Sequence, residues 1–168
     1  MKLFFALALA LGLAGCASFD GRGLVPGKST GTEAIALMGE PAQRLALADG
    51  GSALYFSRLP RGRAVYVVTV GADGVMKSIE QRMDPAVFAR IVANAWTRKE
   101  VSELLGPPGL QGRYARLQRD WWEYRYYQTP YYRVVTVQFS DDGVVREVYD
   151  MRDWEEDRQS LDGPSGTH

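Results

Sequence analysis

Two stretches of the chain carry the same arrangement of apolar and polar positions. From Thr97 to Pro108 the sequence reads TRKEVSELLGPP. Val101, Leu104 and Leu105 fall at i, i+3 and i+4, on one face of a helix. Thr97 and Glu100 form the T-x-x-E of a capping box, in which each side chain satisfies a backbone N–H that a helix start leaves unpaired. Trp96 and Val101 stand where a hydrophobic staple would close over that start. Gly106 suits the left-handed residue that ends a helix, and the prolines up to Pro108 prevent its resumption. Two turns return less than nucleation costs, so this helix must be packed against something. The stretch Thr30 to Pro41, TGTEAIALMGEP, has the same form. Thr30, Glu33, Gly39 and Pro41 match Thr97, Glu100, Gly106 and Pro108 at identical spacing. Ala34, Leu37 and Met38 take the apolar slots.

The segments after the two helices also correspond. Strand-like runs follow at Ala53–Leu59, Ala64–Val70 and Val75–Gln81; Leu54–Leu59 corresponds to Trp121–Tyr127, Ala64–Val70 to Arg133–Phe139, and Asp73-Gly74-Val75 to Asp142-Gly143-Val144, which opens the last strand, Val144–Tyr149. Asp73-Gly74 and Asp142-Gly143 mark the same hairpin turn. The pattern predicts an α+β fold of two tandem repeats, 30–82 and 97–151. Each is a short helical element on a three-stranded antiparallel meander. Asp84-Pro85 opens a linking helix within 83–96, whose apolar stripe is Val87, Phe88, Ile91 and Val92.

The strand Trp121–Tyr127 is dense in aromatics. By its period of two, Trp122, Tyr124 and Tyr126 share one face, while Trp121, Glu123, Arg125 and Tyr127 share the other. Trp122 and Tyr124 suit a core. Trp121, Arg125, Tyr127, Tyr131 and Tyr132 are the candidate partner-binding residues. Tyrosine and tryptophan offer large, rigid contact area with a polar handle. Alternatively, the two units pack together and hide these rings.

The chain begins with a brief basic region and an uninterrupted apolar run, Leu3–Leu13, too short to span a bilayer and suited to a signal peptide. The segment ends Leu13-Ala14-Gly15-Cys16, which resembles the lipobox of bacterial lipoproteins. That resemblance implies removal of residues 1–15, diacylation of Cys16 and N-acylation (palmitate-type chains) of the new terminus. Ala17 after the cysteine implies sorting to the outer membrane. Two or more acyl chains anchor a protein stably. Residues 16–29 read as a lipidated, flexible tether spanning roughly 20 Å. Residues 152–168 read as a charged, disordered tail.

Composition then narrows the chemistry. Lys+Arg and Asp+Glu number 20 each, so net charge gives no general claim on nucleic acid or anionic lipid. Cys16 is the single cysteine, which rules out an internal disulfide. The single histidine is His168, at the end of the tail. No Ser-His-Asp triad, Cys-His pair, zinc ligand set or phosphate-binding loop can be assembled from these residues. Glu123 and Asp150 are the carboxylates weighed as a hydrolytic pair. The chain reads as a non-enzyme, with no metal and no cofactor beyond the lipid on Cys16.

Taken together, the lipobox, T-x-x-E-V-x-x-L-L-G-x-P at Thr97–Pro108, W-x-Y at Trp122 and Tyr124, and F-x-x-D-G at Phe139–Gly143 resemble the BamE (SmpA/OmlA-like) family of small outer-membrane lipoproteins. The doubled unit is similar in layout to the β-lactamase inhibitor protein-like fold. The first resemblance implies a lipid-anchored module facing the periplasm, which binds an envelope protein such as a subunit of the β-barrel assembly machine. The second implies an alternative, an inhibitor-like or cell-wall-binding module using the aromatic strand.

Overall fold

A computed structural model describes residues 19–156. Cys16, the signal segment and residues 157–168 lie outside them, and with them the lipidation site and the end of the expected tail.

Helix α1 (Gly31–Met38) is followed by strands β1 (Gln43–Ala46), β2 (Ser52–Ser57), β3 (Val65–Val70) and β4 (Met76–Gln81). A four-residue helix α2 (Pro85–Phe88) leads to helix α3 (Arg98–Leu105). Strands β5 (Leu110–Tyr114), β6 (Arg119–Gln128), β7 (Tyr131–Phe139) and β8 (Val145–Arg152) complete the order. The fold is α+β, as the pattern predicts, but each sheet has four antiparallel strands and not three: β1-β2-β3-β4 and β5-β6-β7-β8. The missed strands are the edges β1 and β5. Their sequences, QRLA and LQGRY, alternate between half-buried and exposed positions at most and contain no apolar run.

The capping boxes form at both helix starts. Glu33 N donates to Thr30 Oγ1 and Thr30 N to Glu33 Oε2; Glu100 N and Thr97 N do the same with Thr97 Oγ1 and Glu100 Oε2. The two N-caps have nearly the same backbone, φ −103°, ψ 163° at Thr30 and φ −104°, ψ 164° at Thr97, so one local geometry serves both. Isolated bridges pair Thr30 with Val75 and Thr97 with Val144. Both sheets break register at the same place, before Val70 and before Phe139.

The layers run α1, first sheet, α3, second sheet. Helix α1 covers one face of the first sheet, with Ala34 and Met38 on Leu54, Phe56, Val68, Val70 and Met76. The opposite face, Ala53, Tyr55 and Val67 with Leu45 and Leu47 beside them, meets the back of α3. There the Tyr55 hydroxyl donates to the Glu103 carbonyl, and Ser102 Oγ donates to Gln43 Oε1 at 3.3 Å. The front of α3, Val101, Leu104 and Leu105, packs on Tyr124, Tyr126, Val135, Val137 and Phe139 of the second sheet. Met83, Phe88 and Ile91, with Val65 reaching in from β3, complete that core, Phe88 meeting Tyr126 edge-on at 5.0 Å. Because α3 lies between the sheets, the first is buried on both faces: Ala53, Leu54, Tyr55 and Phe56 are all buried in succession.

Three expectations change. Residues 19–29 do not run as a free tether. Phe19 and Leu24 pack on the first core, and Gly27 N donates to Met76 O while Met76 N donates to Ser29 O. Apolar residues in a Gly-rich stretch found a sheet edge to cover. The linking helix ends at Phe88, and Val92 is exposed while Ile91 is buried. At the tail, Asp153 is buried and residues 154–156 form a helical turn. Its carboxylates face Arg125 and Arg63.

The second capping box makes stability depend on acid. Hydrogen bonds from the Thr97 hydroxyl and backbone hold the Glu100 carboxyl below its usual range. A carboxylate depressed in the folded state stabilises above its unfolded value and loses that contribution as pH falls through the folded one. Thr97→Ala removes the cap at a cost of about 1 kcal/mol at neutral pH. Urea denaturation at pH 7 and pH 3 is expected to show the difference between variant and wild type shrinking at the lower pH.

Candidate functional site

The second sheet has one face on α3 and another with no element laid along it among the described residues. The strand register places Leu110, Gly112 and Tyr114 of β5 on that outer face, next to Glu123, Trp121 and Arg119 of β6. Arg125 and Tyr127 continue it, paired with Val134 and Tyr132 of β7. Tyr149 and Met151 of β8 close the far side, beside Thr136 and Val134. The face holds Trp121, Glu123, Arg125 and Tyr127 together, as the period of two predicts, with Tyr132 beside Tyr127. It also holds Leu110, Tyr114, Tyr149 and Met151, which the sequence reading missed. The alternation of Glu147, Tyr149 and Met151 with Val148 and Asp150 along β8 was the available signal; β5 offered none.

The candidate residues do not form one uniform patch. Trp121 is half-buried and lies flat over Gly112, where a Cβ would come within 2.5 Å of its ring. Its ring meets Tyr114 at 5.9 Å. The Tyr114 and Tyr149 hydroxyls stand 3.4 Å apart; this hydrogen bond, with burial, pushes Tyr114 up to about 12. Arg125, one of the candidate partner-binding residues, is already engaged within the chain. It is 3.4 Å from Asp153, 3.5 Å from Glu155 and 3.8 Å from Glu156, and so ties the turn at 154–156 to the sheet.

Tyr127 and Tyr131 are exposed at the β6–β7 hairpin. Tyr132 packs against Tyr127 at 5.2 Å and lies under the Arg63 guanidinium at 5.7 Å. Of the structural-motif residues, Tyr124 is fully buried and its hydroxyl donates to Gly106 O at 3.1 Å. Trp122 is half-buried, edge-on to Phe139 at 4.8 Å. Pro41 and Pro108 follow the two helix ends, and Gly143 completes the Asp142 turn, where Gly143 N donates to Ser140 O.

The carboxylates weighed as a hydrolytic pair lie on opposite faces. Glu123 pairs with Thr136 on the outer face; Asp150 pairs with Val135 on the inner one. Asp150 accepts from Tyr126 Oη at 2.6 Å and from Arg133 Nε at 3.0 Å. A sheet therefore separates them, and no substrate atom can meet both. Among the described residues no group of three or more His, Cys, Asp or Glu is placed to hold a metal ion.

Glu123 sits in the middle of the outer face between Trp121 and Arg125, and partial burial raises its carboxyl above the usual range. A carboxyl raised on folding is costly when ionised, so stability falls as pH rises through its folded value. Glu123→Gln is expected to raise the urea midpoint at pH 7 and to leave it unchanged at pH 4.

Residues 83–149 match the family model for the outer membrane protein assembly factor BamE domain. No curated protein and no solved structure matches the chain. The matched span begins at Met83, buried in the core beneath α2, and ends at Tyr149 on β8. It therefore contains α3, both faces of the second sheet and nearly all of the aromatic surface. The similarity to the BamE domain thus covers residues 83–149 of the 168, the part of the chain that carries the aromatic face.

Proposed function

We propose that this chain is a lipid-anchored, non-catalytic lipoprotein of the outer membrane that works in outer-membrane protein assembly. It does so by binding an envelope protein through the outer face of its second sheet. The BamE match supports the setting. The observation that carries the surface is the unequal covering of two equivalent faces. In the first sheet the pair Tyr55 and Val67 lies beneath α3; the corresponding pair in the second, Glu123 and Thr136, has no helix over it among the described residues, and Thr136 is buried by neighbouring side chains of its own sheet. Matching caps, bridges and register breaks further support reading 30–82 and 97–151 as two copies of one unit.

The mechanism needs no bond chemistry. A preorganised sheet, held by lipid beside its partner, raises the partner's effective concentration. Aromatic side chains that are already packed, such as Trp121 on Gly112, lose little freedom on binding.

A photo-crosslinking residue placed at Trp121 or Tyr149 tests this in cells. Adducts with β-barrel assembly subunits from both positions, and none from Glu80 on the first sheet, are the expected result. Adducts with a soluble periplasmic enzyme or with murein from the same positions would establish the inhibitor-like or wall-binding alternative instead. The mass of the Cys16 peptide reads the lipid directly.

A further inference from the structure

Four of the nine large, exposed apolar or aromatic side chains among the described residues gather around the β6–β7 hairpin: Tyr127, Tyr131, Met151 and Trp154, the last 60 % exposed. The Arg152 guanidinium lies between two of them, 4.2 Å from the Tyr131 ring and 4.6 Å from Trp154. Aromatic rings with a polar edge and arginines with long apolar stems are the side chains that settle at a membrane–water boundary. Composition alone does not say that a bilayer covers this tip. The place where the chain enters the fold does.

Phe19, the first described residue, lies under the Arg58 guanidinium at 4.0 Å and edge-on to Tyr66 at 5.8 Å. Arg58 begins the β2–β3 loop, and Arg63 in the same loop reaches Tyr132 and pairs with Glu156. That loop thus joins the entry point to the β6–β7 hairpin, and both stand at one end of the molecule. Cys16 is three residues before Phe19, within ~11 Å even when fully extended. Beyond Arg125 with Val134, the counterpart of the last β2–β3 pair Ser57 with Val65, the second hairpin runs on by three more pairs, from Tyr126 with Arg133 to Gln128 with Tyr131. At 3.3 Å per residue this projects the tip about 10 Å further. An acyl chain on Cys16 and the aromatic tip therefore reach the same plane.

We propose that the β6–β7 tip rests in the interfacial layer of the phospholipid bilayer, with Tyr127, Tyr131 and Trp154 as its anchors, and so fixes the orientation of the domain. This rests on the reading of Cys16 as the membrane anchor. The two sheets then stand upright, and the outer face of the second is presented sideways, parallel to the membrane, to a partner. Arg63, Arg125 and Arg133 near the tip are held in ion pairs with Glu156, Asp153, Glu155 and Asp150. The anchors named are rings and do not depend on charge, so contact is expected with zwitterionic lipid.

The test couples the single cysteine, Cys16, to a maleimide lipid in vesicles of phosphatidylcholine with brominated acyl chains, using the chain from Cys16 onward, which retains every described residue. This places the chain at a bilayer whether or not the cell acylates it. Quenching of tryptophan fluorescence is expected, and Trp154→Phe is expected to abolish it although three tryptophans remain. Tyr127→Ser with Tyr131→Ser is expected to lower it at least two-fold. Absence of quenching, or quenching that survives Trp154→Phe, overturns the proposal. Unacylated Cys16 in protein taken from cells, together with full quenching in the conjugate, overturns the anchor while supporting the affinity of the tip for lipid.

Discussion

Replacing Gly106 with alanine is expected to destabilise the fold by about 4 kcal/mol, and the same change at Gly39 by about 2 kcal/mol. Both glycines end a helix in a backbone region that L-residues scarcely enter, φ 89°, ψ −171° at Gly39 and φ 77°, ψ −166° at Gly106. The strain of forcing a side chain there is common to the two. Their surroundings differ. A Cβ on Gly39 meets nothing within 4 Å, whereas one on Gly106 stands 2.8 Å from Tyr55 Cδ1. On its other side the Gly106 carbonyl accepts from Tyr124 Oη, so the segment cannot retreat from Tyr55 without giving up that bond. The difference between the two variants, read by urea denaturation, isolates the close contact between the halves. Equal losses at both positions would mean that α3 does not lie against the first sheet.

Tyr55→Ala is the second large effect, about 4 kcal/mol, while Tyr55→Phe is expected to lose only about 1 kcal/mol. Tyr55 is buried, belongs to the face that α3 covers and gives its hydroxyl to Glu103 O. Alanine leaves a ring-sized void between the two sheets, and the polar back of α3 cannot collapse into it. Phenylalanine keeps the volume and orphans one carbonyl near the surface of α3. Calorimetry of the two variants reads the contrast. A Phe variant as damaged as the Ala variant would show that the hydrogen bond, and not the ring, joins the halves.

The capped helices were legible because their signals are local: Thr, Glu and Gly at fixed spacing produce both boxes and both helix ends. The inner face of β6 was legible for the same reason, since period two alone separates Tyr124 and Tyr126 from Trp121 and Tyr127. Edge strands β1 and β5 were not. An edge strand borrows its order from its neighbour and needs no apolar pattern of its own. Arg125 read as surface because its partners Asp153, Glu155 and Glu156 lie about thirty residues later in what looked like a tail. The packing of α3 on the first sheet was hidden by the polar residues Ser102 and Glu103 on its back. One trace of it was present: ALYF at 53–56 and VYVV at 65–68 are apolar on both faces, the mark of a strand covered twice.

The helix shared between two sheets makes the halves interdependent. Residues 83–149 turn the polar back of α3, Ser102 and Glu103, toward the first sheet, and receive from the first half Val65 and Leu59, which enter the second core. The first half, severed from α3, would present Leu45, Tyr55 and Val67 to solvent. Each half therefore completes the other. Substitutions on the enclosed face of the first sheet are confined to side chains that fit under α3, whereas the open face of the second is at liberty to diversify with its partner.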